Sequence, residues 1–409
     1  MKLVNLSIAA AAACLFATSA HALKSEDRNV KGNYQVEYTK VPGAVNSFTE
    51  MFTEGEVYGR IRSNNFFWDW DTQSDGVTAD NKMMGLGGSL VYKTGFFNGL
   101  GATVGFYGTT QLLGDNKDNF NTTANYGKAG KDTYHTRADG TEGAMGNFAE
   151  AFLEYKNGKT NVKVGRQGID SMMLATNDTK MIPNTFEAAV IENKDIPNTT
   201  VRAGYIMSQK LRDHQSFHSI IAFEKYNEND DSGVHKGLTP TLISGAGEDV
   251  NPEMVLITAQ NTSIPNLKLN GEYVGVDGFV NTVIAEANYK IKLNDTWTLT
   301  PGVRYLRQMD DGAGAIGGAN LAGTFKGNTT YTSNKFGYTD PNSADGSIIM
   351  ARLVAASGPL ELSAGYSKVS DDADIIAPWR GFPTGGYTRS MAQVDWIANT
   401  KNWAVKAVT

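Results

Sequence analysis

Leu267-Lys268-Leu269-Asn270-Gly271-Glu272-Tyr273 decides the fold. One parity reads Leu, Leu, Gly, Tyr; the other reads Lys, Asn, Glu. Side chains alternate across a strand, so this stretch predicts one apolar and one charged face. A soluble sheet would hide the apolar face in a core. A transmembrane barrel turns that face to lipid and lines a wet interior with the charged one.

The same alternation recurs outward from this stretch. It predicts about fifteen strands, over 54–64, 83–94, 101–111, 147–156, 160–166, 185–192, 199–207, 253–261, 267–275, 280–293, 296–308, 347–356, 360–369, 389–398 and 403–409. Short turns, such as Asn157-Gly158, Asn294-Asp295 and Ser357-Gly358-Pro359, follow every second strand. Long loops, such as 112–146, 208–252 and 310–345, follow most of the others. That asymmetry is the layout of an outer-membrane barrel, and loops this long argue against a compact soluble domain. The aromatics sort by strand direction. Tyr92, Tyr155, Tyr289, Trp396, Trp297 and Trp403 fall at the short-turn edge, and Tyr205, Tyr273, Tyr305 and Tyr366 at the long-loop edge. Two aromatic belts suit two membrane interfaces.

Composition agrees with this class. With 41% hydrophobic residues and a mean hydropathy of -0.33, the 409-residue chain is too polar for a helical membrane protein. Its one long apolar run, 6–16, follows Lys2 and precedes Ala20-His21-Ala22, which predicts a signal peptide over 1–22. Residues 23–53 read as a periplasmic lead-in and 54–409 as the barrel. The single cysteine, Cys14, lies within the signal, so the mature chain is expected to carry no disulfide or thiolate chemistry. A net charge of -6 argues against nucleic acid as a partner.

The inward parity carries Arg60, Arg62, Arg202, Arg304, Arg352 and Arg389 with Glu150, Glu272 and Glu286. Burying so many ions in a dry core would cost several kcal/mol each, which a water-filled interior avoids. Arg166 breaks the pattern by sharing the parity of Val162 and Val164, which asks for a bulge or a strand end. Arg307 and Lys368 share the lipid parity beyond Tyr305 and Tyr366, where a long side chain reaches water.

Gly165-Arg166-Gln167-Gly168-Ile169-Asp170, the run from Asn177-Asp178-Thr179-Lys180 to Ala188, and the run from Pro378-Trp379-Arg380 to Arg389 resemble the OprD-type outer-membrane porin family. The resemblance extends from about residue 45 to the end. It implies an antiparallel barrel of about eighteen strands in the bacterial outer membrane, passing small solutes by diffusion. It implies that the loop 167–184 folds inward as a constriction, presenting Asp170, Asn177, Asp178 and Lys180. It also implies a ladder of basic side chains, which parity maps onto the six arginines above. Fifteen strands is an odd number, and the chain stops in mid-strand, so about three further strands are expected. The edges near 54–64 and 403–409 are then expected to stay unpaired.

The resulting expectation is a channel for passive diffusion of small polar solutes, with carboxylates favoured by the ladder. A surface barrel with a structural or adhesive role is the alternative, and an inward loop distinguishes the two. An enzyme is disfavoured. The histidines beyond the signal, His135, His214, His218 and His235, all fall in predicted loops, and the i, i+4 pair His214 and His218 has no evident third ligand. No metal or cofactor is expected. Lipid and small solutes are the expected partners, and the sequence is compatible with a monomer or a homotrimer.

Overall fold

The computed structural model describes residues 28–31, 34–68, 81–113, 143–212, 214–222, 238–321, 338–379, 386–389 and 396–409. The predicted signal peptide, His135 and His235 lie outside these residues. The chain forms two units. The first comprises Met1–Tyr155 with Gly165–Gln167 and Asn177–Pro183; the second holds the rest.

In the first unit the described elements run β1 (Arg28–Val30), β2 (Val36–Tyr38), β3 (Ala44–Val45), α1 (Phe48–Thr53), β4 (Glu56–Trp68), β5 (Asn81–Lys93), β6 (Phe96–Phe97), β7 (Leu100–Leu113) and β8 (Ala144–Asn157), which crosses into the second unit after Tyr155. The long strands β4, β5, β7 and β8 pair with their neighbours antiparallel. Residues 34–40 lie against the inner face of β4. Tyr58 donates its hydroxyl to Lys40 O at 2.7 Å, and Arg60 Nη1 donates to Tyr34 O at 2.8 Å.

β9 (Thr160–Gln167) leads into the second unit. There follow β10 (Thr185–Asn193), β11 (Thr199–Lys210), α2 (Pro240–Gly245), β12 (Met254–Asn261), β13 (Leu267–Val276), β14 (Val280–Tyr289), β15 (Ile291–Lys292), β16 (Thr298–Asp310), α3 (Ala313–Gly317), β17 (Gly346–Ser357), β18 (Leu360–Val369) and β19 (Lys401–Val408). From β10 to β19 every neighbouring pair is antiparallel. Glycine closes two hairpins where the backbone needs a positive φ. Gly158 has φ 57° and Gly358 φ 55°.

The outward parity exposes what water would not tolerate. Val283, Tyr289, Val303 and Tyr305 are 45–49% exposed, and Leu269 and Leu362 are also exposed. Glu286 and Arg304 on the opposite parity keep only 8% and 14% of their side chains exposed. Among the described residues no helix is long and apolar enough to cross a membrane.

One predicted strand is corrected. β18 pairs directly with β19, with no strand from 389–398 between them. Arg389 and 396–398 lie outside any strand; 390–395 lie outside the described residues. Ile375, Ile376, Trp379 and Trp396, all between β18 and β19, are at most 2% exposed. Of the predicted strand, Trp396 and Ala398 are buried and Arg389 is exposed. The described residues thus hold fourteen long strands, an even number. The correction also reverses the direction assigned to β19. Trp403 stands opposite Tyr366, their rings 4.5 Å apart, and joins the long-loop belt.

A second departure concerns the inner face. Its short-turn half is charged, as alternation predicts. Its long-loop half in the second unit is apolar: Ile206, Leu256, Val274, Val280, Leu306 and Ile348 are at most 2% exposed. Loops pack on them, bringing Ile220, Ile243, Ile316 and Trp379 into one cluster. Two buried amides fasten those loops. Gln308 Nε2 donates to Ala344 O and Asp374 O, while its Oε1 accepts from Ile376 N. Gln209 Nε2 donates to Ile220 O and Pro378 O. Gln308, partnered through both its nitrogen and its oxygen, is the more specific lock.

Candidate functional site

The predicted constriction loop is held by charge at both halves. In the first unit, Arg62 Nη2 meets Asp178 Oδ1 at 2.6 Å and Arg62 Nη1 donates to Asp178 O at 2.7 Å. Arg60 Nη1 lies 3.2 Å from Asp178 Oδ2. Two like charges one strand step apart would repel; the carboxylate between them makes their proximity favourable. Asn64 Nδ2 adds a bond to Thr179 O, and Asn177 Oδ1 accepts from the Thr179 amide and hydroxyl. Lys180 is 9% exposed and also partnered.

In the second unit, Glu272 takes the other half. Its carboxylate accepts from the Ser171 hydroxyl at 2.7 Å, from Met172 N at 2.7 Å and from Met173 N at 2.8 Å. Arg202 Nη2 donates to Asp170 O at 2.6 Å, and Asp170 Oδ1 caps Thr176 N. Ile169, Met173 and Leu174 enter the apolar cluster beneath. At Gly165 φ reaches 126°, between an exposed Val164 and a half-buried, partnered Arg166.

The remaining arginines divide into compensated and uncompensated. Arg304 Nε and Nη2 both reach Glu286 Oε2, at 2.6 and 2.5 Å, a charge-assisted pair. Asn270 and Asn288 each donate to Glu286 Oε1. Arg352 donates to Asn288 Oδ1 at 3.0 Å and, among the described residues, makes no ion pair. The Tyr387 ring lies against both guanidinium groups, 4.4 Å from that of Arg352 and 5.0 Å from that of Arg304. Burial pushes its phenol up to about 12, so the ring stays neutral. Gly365 makes room for this, since a Cβ there would strike Tyr387 O. Arg389, off the strands, stands exposed and partnered. Glu150 accepts from the Tyr107 hydroxyl at 2.8 Å.

Parity alone could not find Tyr387, because its loop follows no strand period. Ser171 and Asn288 also escaped, since they carry no charge. The loop histidines include a close pair: His214 is 0% exposed and its Nδ1 lies 2.6 Å from Nε2 of the half-buried His218. His218 Nδ1 faces Ser219 O and Ala222 O, so it carries the proton. Among the described residues no three metal-ligating groups converge.

Lipid-facing aliphatics, a charged inner wall and an inward-held loop define an outer-membrane β-barrel porin. The chain matches the outer membrane porin, OprD family over residues 52–381, and it belongs to that family. It is therefore a bacterial outer-membrane channel protein for small polar molecules. The fold is similar to that of Pseudomonas aeruginosa OccK8 (OprE), with a TM-score of 0.62 at 15% identity, over 87% of this chain and 79% of that one. It is similar to Acinetobacter baumannii OccAB4, with a TM-score of 0.60 at 14% identity, over 86% and 76%. It is also similar to Pseudomonas aeruginosa OpdK with vanillate, with a TM-score of 0.58 at 14% identity, over 86% and 75%. No curated protein matches the chain in sequence.

Proposed function

We propose that this porin passes small carboxylate-bearing solutes by passive diffusion, with the loop 167–184 as its constriction and Arg202 and Arg352 as the stepping positions. The observation that carries the reading is the division among the arginines. Arg60, Arg62 and Arg304 spend their charge on Asp178 and Glu286. Arg202 and Arg352 form no ion pair among the described residues, although Glu272 lies within electrostatic reach of Arg202, and each donates one bond to a neutral oxygen. A guanidinium stays charged at any accessible pH and grips a carboxylate through two parallel bonds. Weak, repeated grips allow passage, whereas one tight site would stall it. Vanillate, seen with the similarly folded OpdK, is itself a carboxylate. The test is reversal potential in planar bilayers across a gradient of a sodium carboxylate salt. A carboxylate-selective potential that Arg202→Ala with Arg352→Ala abolishes supports the reading. An unselective potential, unaltered by both changes, overturns it. No conductance at all would favour a structural or adhesive surface barrel.

A further inference from the structure

We propose that α1 is a membrane anchor, seating Phe48 and Phe52 in the phospholipid leaflet at the short-turn edge of the barrel wall. Sequence alone places these residues in a periplasmic lead-in. The structure puts the helix on the lipid side of the rim. Tyr92, on the outward parity of β5, donates its hydroxyl to Phe52 O at 2.6 Å. The turn after β5 donates Gly95 N to Met51 O at 2.8 Å. Gly55 lets the chain lie this close, because a Cβ there would meet the Tyr92 ring.

The helix is sided. Phe48 and Phe52, four residues apart, share a face and pack edge to face at 5.2 Å. They are 61% and 50% exposed, while Met51 is 4% exposed against the rim. The aromatic face is continuous with a surface that already meets lipid. Phe48 packs on Phe97 at 6.4 Å, Phe97 pairs with Leu100, and Leu100 pairs with Tyr155. Short turns mark the periplasmic side of such a barrel, and phenyl rings beside a tyrosine belt fit the headgroup and acyl boundary.

A helix end entering that boundary must satisfy its own amides. Ser47 Oγ caps the helix by accepting from Glu50 N at 3.1 Å, and Glu50 Oε2 reaches back past the cap to accept from Asn46 N at 2.9 Å. Glu54 N, at the other end, donates to Glu50 O.

The experiment places a nitroxide at Phe48→Cys, Phe52→Cys, Glu54→Cys or Ile61→Cys, each in the chain with Cys14→Ser, refolded into dimyristoylphosphatidylcholine vesicles. Collision with oxygen is compared with collision with a neutral nickel chelate. Ile61, 83% exposed in mid-strand, sets the deep-lipid value, and Glu54 sets the aqueous value. The expected oxygen-to-nickel ratios at 48 and 52 lie between the two and several-fold above that of Glu54. Ratios equal to that of Glu54 overturn the proposal. Loss of collision with both reagents also overturns it, because protein would then cover the face. The unsubstituted chain gives a second readout in vesicles doped with a diazirine-bearing phospholipid. Adducts on the 44–55 peptide support the anchor, and their absence from that peptide, with adducts present on strand peptides, overturns it.

Discussion

Arg62 binds Asp178 twice, through the carboxylate at 2.6 Å and through the backbone carbonyl at 2.7 Å. One guanidinium therefore fixes both the side chain and the main chain of a loop residue. Removing one partner of such a nearly buried pair costs about 3–5 kcal/mol. Arg62→Ala is expected to release 177–183 and raise single-channel conductance. Asp178→Ala should do so more strongly, since it also leaves Arg60 and Arg62 to repel each other. Unchanged conductance in both variants would place this loop outside the solute path.

Glu272 fastens the other half of the loop by accepting three hydrogen bonds. Glu272→Ala abolishes all three, at about 1–3 kcal/mol for a buried bond left unmade, and Met173 N keeps only its 3.2 Å bond to Ser171 Oγ. The expected outcome is chymotryptic cleavage at Met172 to Leu174 in the folded barrel, with the parent chain resistant. Ser171→Ala removes the bond to Glu272 and the two that the hydroxyl accepts from Met173 N and Leu174 N, but keeps both amide bonds to Glu272, so cleavage should be slower than in Glu272→Ala.

Arg304 and Arg352 differ in what they can still bind. Arg304→Ala leaves Glu286 uncompensated and should move the reversal potential toward cation selectivity. Arg352→Ala removes the free donors and should lower carboxylate flux about ten-fold, the equivalent of one charge-assisted hydrogen bond, with neutral sugars of similar size little affected. Equal losses for carboxylates and sugars would assign Arg352 to wall structure.

Gly365 and Tyr387 form a matched pair across the inner face. Gly365→Ala is expected to displace Tyr387 and reproduce the selectivity of Tyr387→Ala, without altering strand pairing. Bilayer recordings of the two variants should coincide. A Gly365→Ala channel with parental selectivity would show that the tyrosine does not set the two guanidinium groups.

Tyr38 stacks on Tyr58 at 4.0 Å, and burial, with Glu150 nearby, pushes its phenol up to about 12. A raised folded-state value means the folded segment holds its proton longer than the unfolded chain does. The stabilisation is complete below pH about 10 and declines between about 10 and 12. Proteolysis at 28–40 should be flat with pH up to that window and rise within it. A rise well below that window would contradict the burial of this ring.

The strand ladder was legible because a membrane wall imposes a two-residue period over many strands. The bounds of 360–369 were read to the residue, and those of most others to within a few. The wall charges Arg60, Arg202, Glu286 and Arg304 were legible for the same reason. The period loses meaning where both faces are covered. Val274 and Val276 turn inward yet are apolar, because loops and not water lie above them. Over 389–398 alternation misleads: β18 takes β19 as its neighbour, and Trp396, read as a belt residue, is 2% exposed. Tyr387 belongs to neither pattern, and only tertiary structure brings it to Arg352.

β18 and β19 are bonded neighbours, although the stretch 370–400 separates them in sequence and much of it is buried. The pairing of these two strands does not depend on the length or content of that detour. Substitutions and small insertions in the detour are expected to leave every β18–β19 ladder bond in place. The backbone ladder of this part of the wall and the side chains of Ile375, Ile376 and Trp379 are thus held by separate sets of contacts, so a change in one need not disturb the other.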